Sequence, residues 1–384
     1  MKRLLVLGLV LAACSAEKSH EPQSASSPSA ADSVAHASGR PATSPTSAPA
    51  AALRAVTLPA GQLEALLVRD QPTNSGLVRW DGGVAVRTNP PRRLDLGAKR
   101  STEITVDGAD SVRSLATWQD KPIALVTKGA DYLLAVKDDK GFRTIELPAA
   151  IRDASPSPRP RPTPLLAAGP RWIALQLGSS IHLYDGAAWS IVSLAGVRET
   201  PATTGLYANS AAFSGETLYL AFDRGEWGGA LLAVDLKTGV ATNVPGPELP
   251  LRDLSFDPSG ALWAVRGLAH LGLREGELRV LRDGRWAIVA ASERSDPSGD
   301  VPSVVPTAFD AIAFDAAGTP LLLSGAKGVL RRADKDWEPL VSPWPEFVYV
   351  NDLELSGSTL IIATYDAGVL AVDLANARAS RITL

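Results

Sequence analysis

The chain has 384 residues, of which 45% are hydrophobic, and its 38 Lys and Arg against 41 Asp and Glu give a net charge of −3. This is ample apolar material for a globular core, and no positive excess is available to neutralise a run of phosphates, so nucleic acid is excluded as an expected partner. One cysteine and four histidines exclude a disulfide framework and a Cys/His metal cluster.

The first fourteen residues, MKRLLVLGLVLAAC, have the pattern of an export signal. A basic start is followed by an apolar run, residues 4–11, that is too short to span a bilayer. The tetrad LAAC resembles the lipobox of bacterial lipoproteins, which implies removal of residues 1–13 and acylation of Cys14, with palmitate among the expected chains. Ordinary secretory cleavage beside a chance cysteine is the alternative.

Residues 14–52 consist mostly of Ala, Ser, Pro and Thr after the cysteine, and Val34 is the one large apolar residue among them. Such a segment buries too little apolar surface to offset the entropy of ordering it. We expect a flexible tether between the lipidated Cys14 and a folded body that comprises residues 53–384.

The folded body contains a repeated unit, in which an alternating strand, a tight turn and a more hydrophobic strand follow one another. Seven copies occur: LRDLSFDPSGALWAV (251–265), FDAIAFDAAGTPLLLS (309–324), VNDLELSGSTLIIAT (350–364), NSAAFSGETLYLAF (209–222), VRSLATWQDKPIALV (112–126), TPLLAAGPRWIALQ (163–176) and LRAVTLPAGQLEALL (53–67).

Each of these hairpins is paired with a second one: LYDGAAWSIV (183–192), LRDGRWAIV (281–289), RRADKDWEPLV (331–341), AVKDDKGFRTIEL (135–147), AVDLKTGVATNV (233–244), AVDLANARASRITL (371–384) and LVRWDGGVAVRT (77–88). Four strands in about 47 residues are typical of a β-propeller blade. The sequence therefore predicts an all-β fold, a β-propeller of seven four-stranded blades, with six or eight blades as alternatives. A β-solenoid or a pair of sandwiches are the competing folds. No segment has the long apolar stripe of a helix.

A position after the second turn carries a large residue in several units, and its members are Val84, Phe142, Trp189, Val240, Trp286, Trp337 and Ala379. Aromatic residues at this position would pack between neighbouring sheets. We therefore interpret Trp189, Trp286 and Trp337 as packing anchors rather than ligand platforms. The turns at residues 257–260 and 315–318 fit type I turns closed by a left-handed glycine.

The first hairpins resemble the repeats of two-component-regulator-type propellers and, more loosely, NHL and streptogramin-lyase-like repeats, with the pattern Asp-x-x-Gly-x-Leu-Trp and an apolar pair. The matching residues are Asp257, Gly260, Leu262, Trp263, Ala264 and Val265, with a partial match at Asp315, Gly318 and Leu321. The tryptophan docking motif of quinoprotein blades is missing, so we expect no cofactor.

The resemblance also raises an enzymatic alternative, because streptogramin-lyase-like propellers use histidines and acids around a divalent metal. The folded body has two histidines: His182 in a strand, where we expect it to be packed, and His270 in the segment RGLAHLG. A metal site of His270 with Glu275 or Glu277 is conceivable, but no complete ligand set is visible. No Gly-x-Ser-x-Gly motif is present. We therefore expect no catalytic or metal residues and no enzyme.

Loops between blades and between second and third strands share one face of a propeller. Six long insertions map to that face: residues 97–110, 152–161, 197–208, 223–229, 267–272 and 292–306. Loops on a rigid scaffold carry binding residues, and exposed Trp and Arg are good anchors. The predicted binding residues are Arg224, Glu226, Trp227, Arg266, His270, Tyr365 and Asp366.

These observations predict a non-catalytic binding scaffold in the bacterial cell envelope, facing the periplasm or the cell exterior, with the outer membrane favoured. Its expected partners are the bilayer, through acylated Cys14, and another envelope or extracellular protein or a small ligand. The alternative is a metal-dependent propeller hydrolase or lyase that acts on a small cyclic substrate.

Overall fold

A computed structural model describes residues 53–67, 76–152, 164–177, 179–194, 197, 208–225, 228–245, 250–270, 273–292, 307–333, 336–346, 348–365 and 367–384. Within them the chain forms seven antiparallel four-stranded sheets in which the order of the strands follows the order of the chain. The predicted β-propeller of seven four-stranded blades is confirmed.

The strands of the blades have the following bounds. Blade 1 contains β2 (Leu77–Trp80), β3 (Gly83–Val86), β4 (Arg92–Asp95) and β5 (Arg100–Glu103); blade 2, β6 (Ser111–Trp118), β7 (Lys121–Lys128), β8 (Asp131–Asp138) and β9 (Gly141–Ile145); blade 3, β10 (Leu165–Ala168), β11 (Ile173–Leu177), β12 (Ser180–Tyr184) and β13 (Trp189–Ser193); blade 4, β14 (Ser210–Ser214), β15 (Thr217–Asp223), β16 (Gly229–Asp235) and β17 (Ala241–Asn243). Blade 5 contains β18 (Leu251–Phe256), β19 (Leu262–His270), β20 (Leu273–Arg282) and β21 (Arg285–Ala291); blade 6, β22 (Ala311–Phe314), β23 (Pro320–Ser324), β24 (Gly328–Ala333) and β25 (Asp336–Pro339); blade 7, β27 (Val350–Ser356), β28 (Thr359–Thr364), β29 (Val369–Asp373) and β30 (Arg378–Ile382). Outside the blades lie β1 (Val56–Thr57), β26 (Val341–Ser342), α1 (Gln62–Leu66) and α2 (Ala149–Arg152).

The hydrophobic core lies between the blades rather than inside any one of them. The described residues form seven apolar clusters, and each combines residues of two neighbouring blades. Leu125 of blade 2 and Leu175 of blade 3, for example, share one cluster and are completely buried. Second and third strands have neighbours on both faces of the sheet, which explains why they are nearly continuous apolar runs.

The aromatic residues after the second turns pack against the preceding blade, as predicted. The indole N–H of Trp189 donates a hydrogen bond to the carbonyl of Glu146 in blade 2, over 3.0 Å. The ring of Trp286 meets that of Tyr219 in blade 4 edge to face, with 5.9 Å between centroids. Trp337 packs against the cluster between blades 5 and 6.

In the turns that contain Asp and Gly, the carboxylate of the aspartate accepts hydrogen bonds from backbone N–H groups of the same turn. The carboxylate of Asp257 accepts the N–H groups of Ser259 and Ala261, and Gly260 adopts a φ of 86°. In the turn of the stretch LYDGAAWSIV, Asp185 accepts the N–H groups of Ala187 and Ala188, both at 2.9 Å. These bonds lower the pKa of the Asp185 carboxyl. The turns are thus structural, which agrees with their interpretation from sequence.

The prediction for the first blade was wrong. Residues 53–67 do not form a hairpin, because they contain β1 and α1, and residues 77–86 form the inner hairpin of blade 1 instead of its outer one. The outer strands are β4 and β5, and β5 lies inside the predicted insertion 97–110. The sequences of these strands, RRLD and RSTE, are largely charged and exposed, so no apolar alternation marks them. The two short helices were also missed, since each is shorter than the window in which an apolar stripe can be detected.

The N-terminal segment 53–67, which we call the strap, crosses the outside of blades 6 and 7. Its strand β1 pairs in parallel with β26, where the N–H of Val56 donates to Leu340 and that of Leu58 to Ser342. Leu63 of α1 is 1% exposed and belongs to the cluster between blades 6 and 7. The strap therefore extends the core of the propeller.

We expect Leu63→Ala to destabilise the protein by about 2–4 kcal/mol, because it leaves a cavity between two blades. Chemical denaturation of the full chain, followed by tryptophan fluorescence, measures this change. Glu64→Ala in the same helix removes an exposed side chain and serves as the matched control, with an expected change within about 0.5 kcal/mol. Equal effects of the two substitutions would mean that the strap is not docked in solution.

Candidate functional site at the channel mouth

The order of the strands sends the connections of every blade to two opposite faces. Turns between first and second strands and between third and fourth strands form the tight-turn face, which includes the turns of Asp257 and Asp185. All other connections lie on the long-loop face. Its described residues are 87–91, 104–110, 129–130, 146–152, 164, 179, 194, 197, 208–209, 224–225, 228, 244–245, 250, 292, 307–310, 325–327, 343–346, 348–349, 365 and 367–368.

A central channel of about 590 Å³ is lined by the first strands of all seven blades. Its walls combine small apolar residues with charges of both signs. The charged lining residues are Arg79, Arg87, Arg252, Asp253, Asp257, Asp352 and Glu354.

Three of these first strands, as far as the chain is described, contain a β-bulge, in blades 2, 5 and 7. The extra residue of each bulge is Arg113, Arg252 or Asn351, and the next residue is Ser114, Asp253 or Asp352. A bulge re-aims the side chains next to it and is common beside functional sites. Two of the three bulges thus place a polar residue and an aspartate side by side on the channel wall.

Two of the three aspartates in the channel lining, Asp352 and Asp253, bind the backbone of the following blade. Asp352 of blade 7 accepts the N–H of Leu77 in blade 1 over 2.7 Å, and Asp253 of blade 5 accepts the N–H of Ile312 in blade 6 over 3.1 Å. The fit at Asp352 is close, since a Cβ on Gly76 would lie 2.8 Å from the carboxylate oxygen. Each aspartate therefore connects two adjacent blades at the channel.

Burial raises the pKa of both carboxyls. For Asp352, whose pKa is raised to about 7, burial acts first and the negative charge of Asp253 adds to it. The backbone hydrogen bonds and the positive charge of Arg87 oppose these effects at both residues. The channel thus holds two carboxyl groups that take up a proton more readily than ordinary aspartates.

A second cavity, of about 290 Å³, opens on the long-loop face at blades 5 to 7, and we call it the mouth pocket. It shares Arg252 and Asn351 with the channel lining, so the two cavities adjoin. The other side chains that define it are those of Thr307, Asp310, Ser324, Tyr349 and Tyr365.

Arg252 is held at the pocket by groups of blades 4 and 5. Its Nη1 forms an ion pair with Asp223 of blade 4, and its Nε donates a hydrogen bond of 3.0 Å to the carbonyl of Gly267 in blade 5. On the blade 6 side lies Asp310, which accepts the N–H of Gly325 over 2.9 Å. Burial raises the pKa of Asp310 to about 6, and the positive charge of Arg252 opposes this shift. The floor of the pocket is therefore a fixed polar network.

Tyr365 and Tyr349 lie at the rim of the mouth pocket. They are 52% and 55% exposed, and the N–H of Tyr365 donates to the carbonyl of Tyr349 over 2.8 Å. The two exposed aromatic side chains therefore lie together beside a cavity instead of being scattered singly over the surface. Tyr365 is thus the predicted binding residue that the structure places at a cavity.

The remaining predicted binding residues lie away from the mouth pocket or outside the described part of the chain. Arg224 is half-buried in a turn closed by its N–H to the carbonyl of Gly228. Glu226, Trp227, Asp366 and Cys14 lie outside the described residues, as do most of the predicted insertions 152–161, 197–208 and 292–306, and their roles stay predictions.

The expectation that Arg266 is an exposed loop residue was wrong. It lies in β19, is 3% exposed, and faces Glu277 across the hairpin with 3.9 Å between the charged groups. Burial lowers the pKa of Arg266 to about 10. Because Glu277 is also paired with Arg279, it is not available as the metal ligand that we considered beside His270.

The predicted loop 267–272 is largely strand. Gly267–His270 belong to β19, and the backbone of His270 pairs with Leu273 of β20, while the side chain of His270 lies outside the described part. His182 is buried in β12, as predicted, and burial lowers its pKa.

Sequence reasoning missed Arg252, Asp253, Asp310, Tyr349 and Asp352. A signal for two of them was present: Asp253 and Asp352 occupy the same place in the strands LRDLSF and VNDLEL, where an acid interrupts the apolar alternation. Among the described residues, no group of three or more His, Cys, Asp and Glu side chains could hold a metal ion. In the same part of the chain, no helix has the length and apolar character needed to cross a membrane.

No protein-family model and no curated protein matches the sequence. Among solved structures, it is similar to the GH74 xyloglucanase of Xanthomonas campestris, with a TM-score of 0.52 and 15% identity over 80% of this chain and 53% of that one. It is also similar to the extracellular domain of a hybrid two-component system of B. thetaiotaomicron (TM-score 0.47, 10% identity, 78% and 40% of the two chains). A third similar structure is YCF48 bound to D1 peptide (0.46, 14%, 79% and 93%).

The first two alignments span only about half or less of the longer proteins. At these identities the likeness concerns the fold, and one propeller fold carries many unrelated functions. The propeller fold that the resemblance implied is confirmed by the seven four-stranded sheets of the described residues.

The channel carboxyls predict how stability depends on pH. The pKa of Asp352 is raised in the folded state, from 3.8 to about 7, so the folded protein binds more protons than the unfolded chain between these values. Its contribution therefore makes the protein more stable as the pH falls from 8 to 5. The gain approaches about 1.4 kcal/mol per pH step where the folded protein holds one proton more than the unfolded chain.

We expect Asp352→Asn to reduce this gain on acidification. Buried His182 acts in the opposite direction, because its lowered pKa costs stability as the pH falls, but it is present in both proteins. The difference between wild type and variant in denaturant unfolding, measured from pH 5 to 8, therefore reports on Asp352 together with Asp253, because the charges of the two carboxyls influence each other. Parallel pH profiles would contradict a raised pKa at this site.

Proposed function

We propose that this protein is an envelope-anchored propeller that binds a protein or a small ligand through its long-loop face and performs no catalysis. The observation that carries the proposal is the mouth pocket, where exposed Tyr349 and Tyr365 flank a fixed polar floor beside the channel. On the tight-turn face, by contrast, the polar groups of the described Asp turns bind their own backbone.

Rigidity of the pocket supports a binding role. Arg252 is held by Asp223 and the carbonyl of Gly267, and Asp310 is held by the N–H of Gly325. A pre-organised site loses less conformational freedom when it binds than a mobile one does. Loops and strand ends fixed by a scaffold are common positions for recognition residues.

The cellular location belongs to the same proposal and rests on the sequence. The signal at residues 1–13, acylated Cys14 and the tether up to residue 52 would hold the propeller at a bacterial membrane, with the outer membrane favoured. A body of net negative charge gains little from anionic lipids, so the acyl chains would supply the attachment. Partners would then be envelope or extracellular molecules.

A second candidate function is catalysis in the channel. The protein would then be a metal-dependent hydrolase or lyase that cleaves a small cyclic substrate with the help of a divalent ion. The raised pKa values of Asp253 and Asp352 favour it, because carboxyls shifted in this way serve as general acids and bases. However, Asp253 accepts a hydrogen bond from Ile312 and Asp352 accepts one from Leu77, so a structural role already explains why aspartates stand at these positions. We therefore rank this function second.

Site-specific photo-crosslinking in intact envelopes tests the binding face. A photoreactive residue in place of Tyr365 should give a discrete adduct, whereas the same residue in place of Val240 or Ile191 should give none. Val240 and Ile191 are matched controls, since they are 54% and 57% exposed and lie at or next to the outermost strands of blades 4 and 3. Adducts from the control positions alone would contradict the proposal.

Metal content and thermal shift distinguish the two candidate functions. For a binding scaffold we expect no stoichiometric divalent metal in the purified full chain and a change of less than about 1 °C in Tm on addition of Ca²⁺ or Mg²⁺, since a bound ion stabilises by mass action. An Asp253→Asn variant is the control. A Tm rise in wild type that this variant abolishes would favour the channel enzyme.

A further inference from the structure

We propose that the mouth pocket binds a small neutral saccharide. This inference rests on the proposed function, because it names the ligand class for the same face. It is carried by three features of the described residues: compensated charge, paired hydrogen-bonding groups and two exposed aromatic rings at the rim.

The charges of the pocket are already compensated within the protein. The guanidinium of Arg252 forms an ion pair with Asp223 and donates a hydrogen bond to the carbonyl of Gly267. The carboxyl of Asp310 accepts the N–H of Gly325 and lies within the electrostatic reach of Arg252. An anion would have to compete with Asp223 for Arg252, and a cation would approach a site that contains Arg252. A neutral ligand meets neither obstacle.

The pocket offers hydrogen-bonding groups of complementary kinds. Asp310 and Asn351, which are partly exposed, present a carboxyl and an amide, whereas the hydroxyls of Thr307 and Ser324 are fully buried in the wall and hydrogen-bond to each other over 2.6 Å. Hydroxyls and amides both donate and accept, and a carboxylate accepts. A ligand with several hydroxyl groups on one ring matches this set, because each of its groups can also donate and accept. A site of this type rejects analogues that lack the hydroxyls.

The tyrosines supply the apolar part of the recognition. A sugar ring has a face of C–H groups, and a tyrosine ring such as those of Tyr349 and Tyr365 at the rim of the mouth pocket has apolar faces and a polar tip. Their backbones are joined by the hydrogen bond from Tyr365 to Tyr349, which fixes the spacing of the two residues. An aromatic residue also loses few rotatable bonds when it is immobilised by a ligand.

The size of the pocket restricts the ligand. Its volume of about 290 Å³ is at the lower end of small-ligand pockets, which range over roughly 300–1,000 Å³. This space fits a monosaccharide or a disaccharide rather than a long glycan. Because Arg252 and Asn351 line both cavities, a sugar bound here would cover the adjoining end of the channel.

The test is isothermal titration of the full-length protein with glucose, N-acetylglucosamine, maltose and cellobiose, and separately with choline and glutamate as cationic and anionic probes. We expect at least one saccharide to bind, with an affinity that is unchanged between about 0.1 M and about 1 M salt, as for an uncharged ligand. Choline and glutamate should not bind.

Variants locate the binding. Tyr365→Ala and Tyr349→Ala should each weaken saccharide binding by about tenfold or more, which corresponds to about 1.4 kcal/mol. Phe256→Ala is the matched control, since Phe256 is an exposed aromatic residue on the channel lining next to the tight-turn face, and it should leave the affinity unchanged. All three side chains are exposed, so circular dichroism and Tm should be those of wild type.

Several results would overturn the inference: no heat with any saccharide, salt-sensitive binding of choline or glutamate that needs the same tyrosines, or saccharide binding that survives both tyrosine substitutions. Photo-crosslinking from position 365 distinguishes failure of the saccharide proposal from failure of the proposed binding function. If adducts form there while no saccharide binds, the face is a binding face for another ligand. If neither is observed, both proposals fail.

Discussion

Closure of the ring is the constraint on which the rest of this structure depends. Every blade has two apolar faces, so a gap anywhere would expose two of them to water. Here each sheet is made from one continuous stretch of chain, and blades 7 and 1 share no strand. They are joined instead by an apolar cluster and by hydrogen bonds, from Leu77 to Asp352 at the channel and from Ser101 to the carbonyl of Thr383 at the outer edge. The strap adds a further clamp between blades 6 and 7 through Leu63.

Much of the fold was predictable because repetition strengthens weak signals. A single Asp-Gly turn or tryptophan has many interpretations, but a hairpin unit that recurs along the chain allows only a few. The interpretation of Trp189, Trp286 and Trp337 as packing anchors is confirmed. The first blade failed because its outer strands are exposed and carry charged residues instead of an alternating pattern. An exposed outer strand needs little apolar surface, so sequence contains little evidence of it.

The candidate site was less predictable, for reasons that are local. Gly267 begins the predicted loop 267–272, yet a glycine is needed there because a Cβ on it would lie 2.0 Å from the carbonyl oxygen of Phe309. The segment continues the hairpin of β19 and β20, in which Arg266 lies buried opposite Glu277 instead of exposed. Tyr365 directly follows β28 on the long-loop face, where binding residues are expected. Tyr349 was passed over because its neighbourhood shows no motif; it reaches the pocket only through the arrangement of blades 6 and 7.

The bulges connect stability with the candidate site. In the bulge of blade 7, Asn351 lines the mouth pocket and the next residue, Asp352, binds blade 1. In the bulge of blade 5, Arg252 lines the pocket and Asp253 binds blade 6. A change at either aspartate therefore alters the backbone that positions its neighbour at the pocket. For this reason, loss of binding in an aspartate variant would not by itself indicate a direct contact with ligand. The exposed rim residues Tyr349 and Tyr365, which contribute little to closure, are the positions at which recognition can be separated from folding.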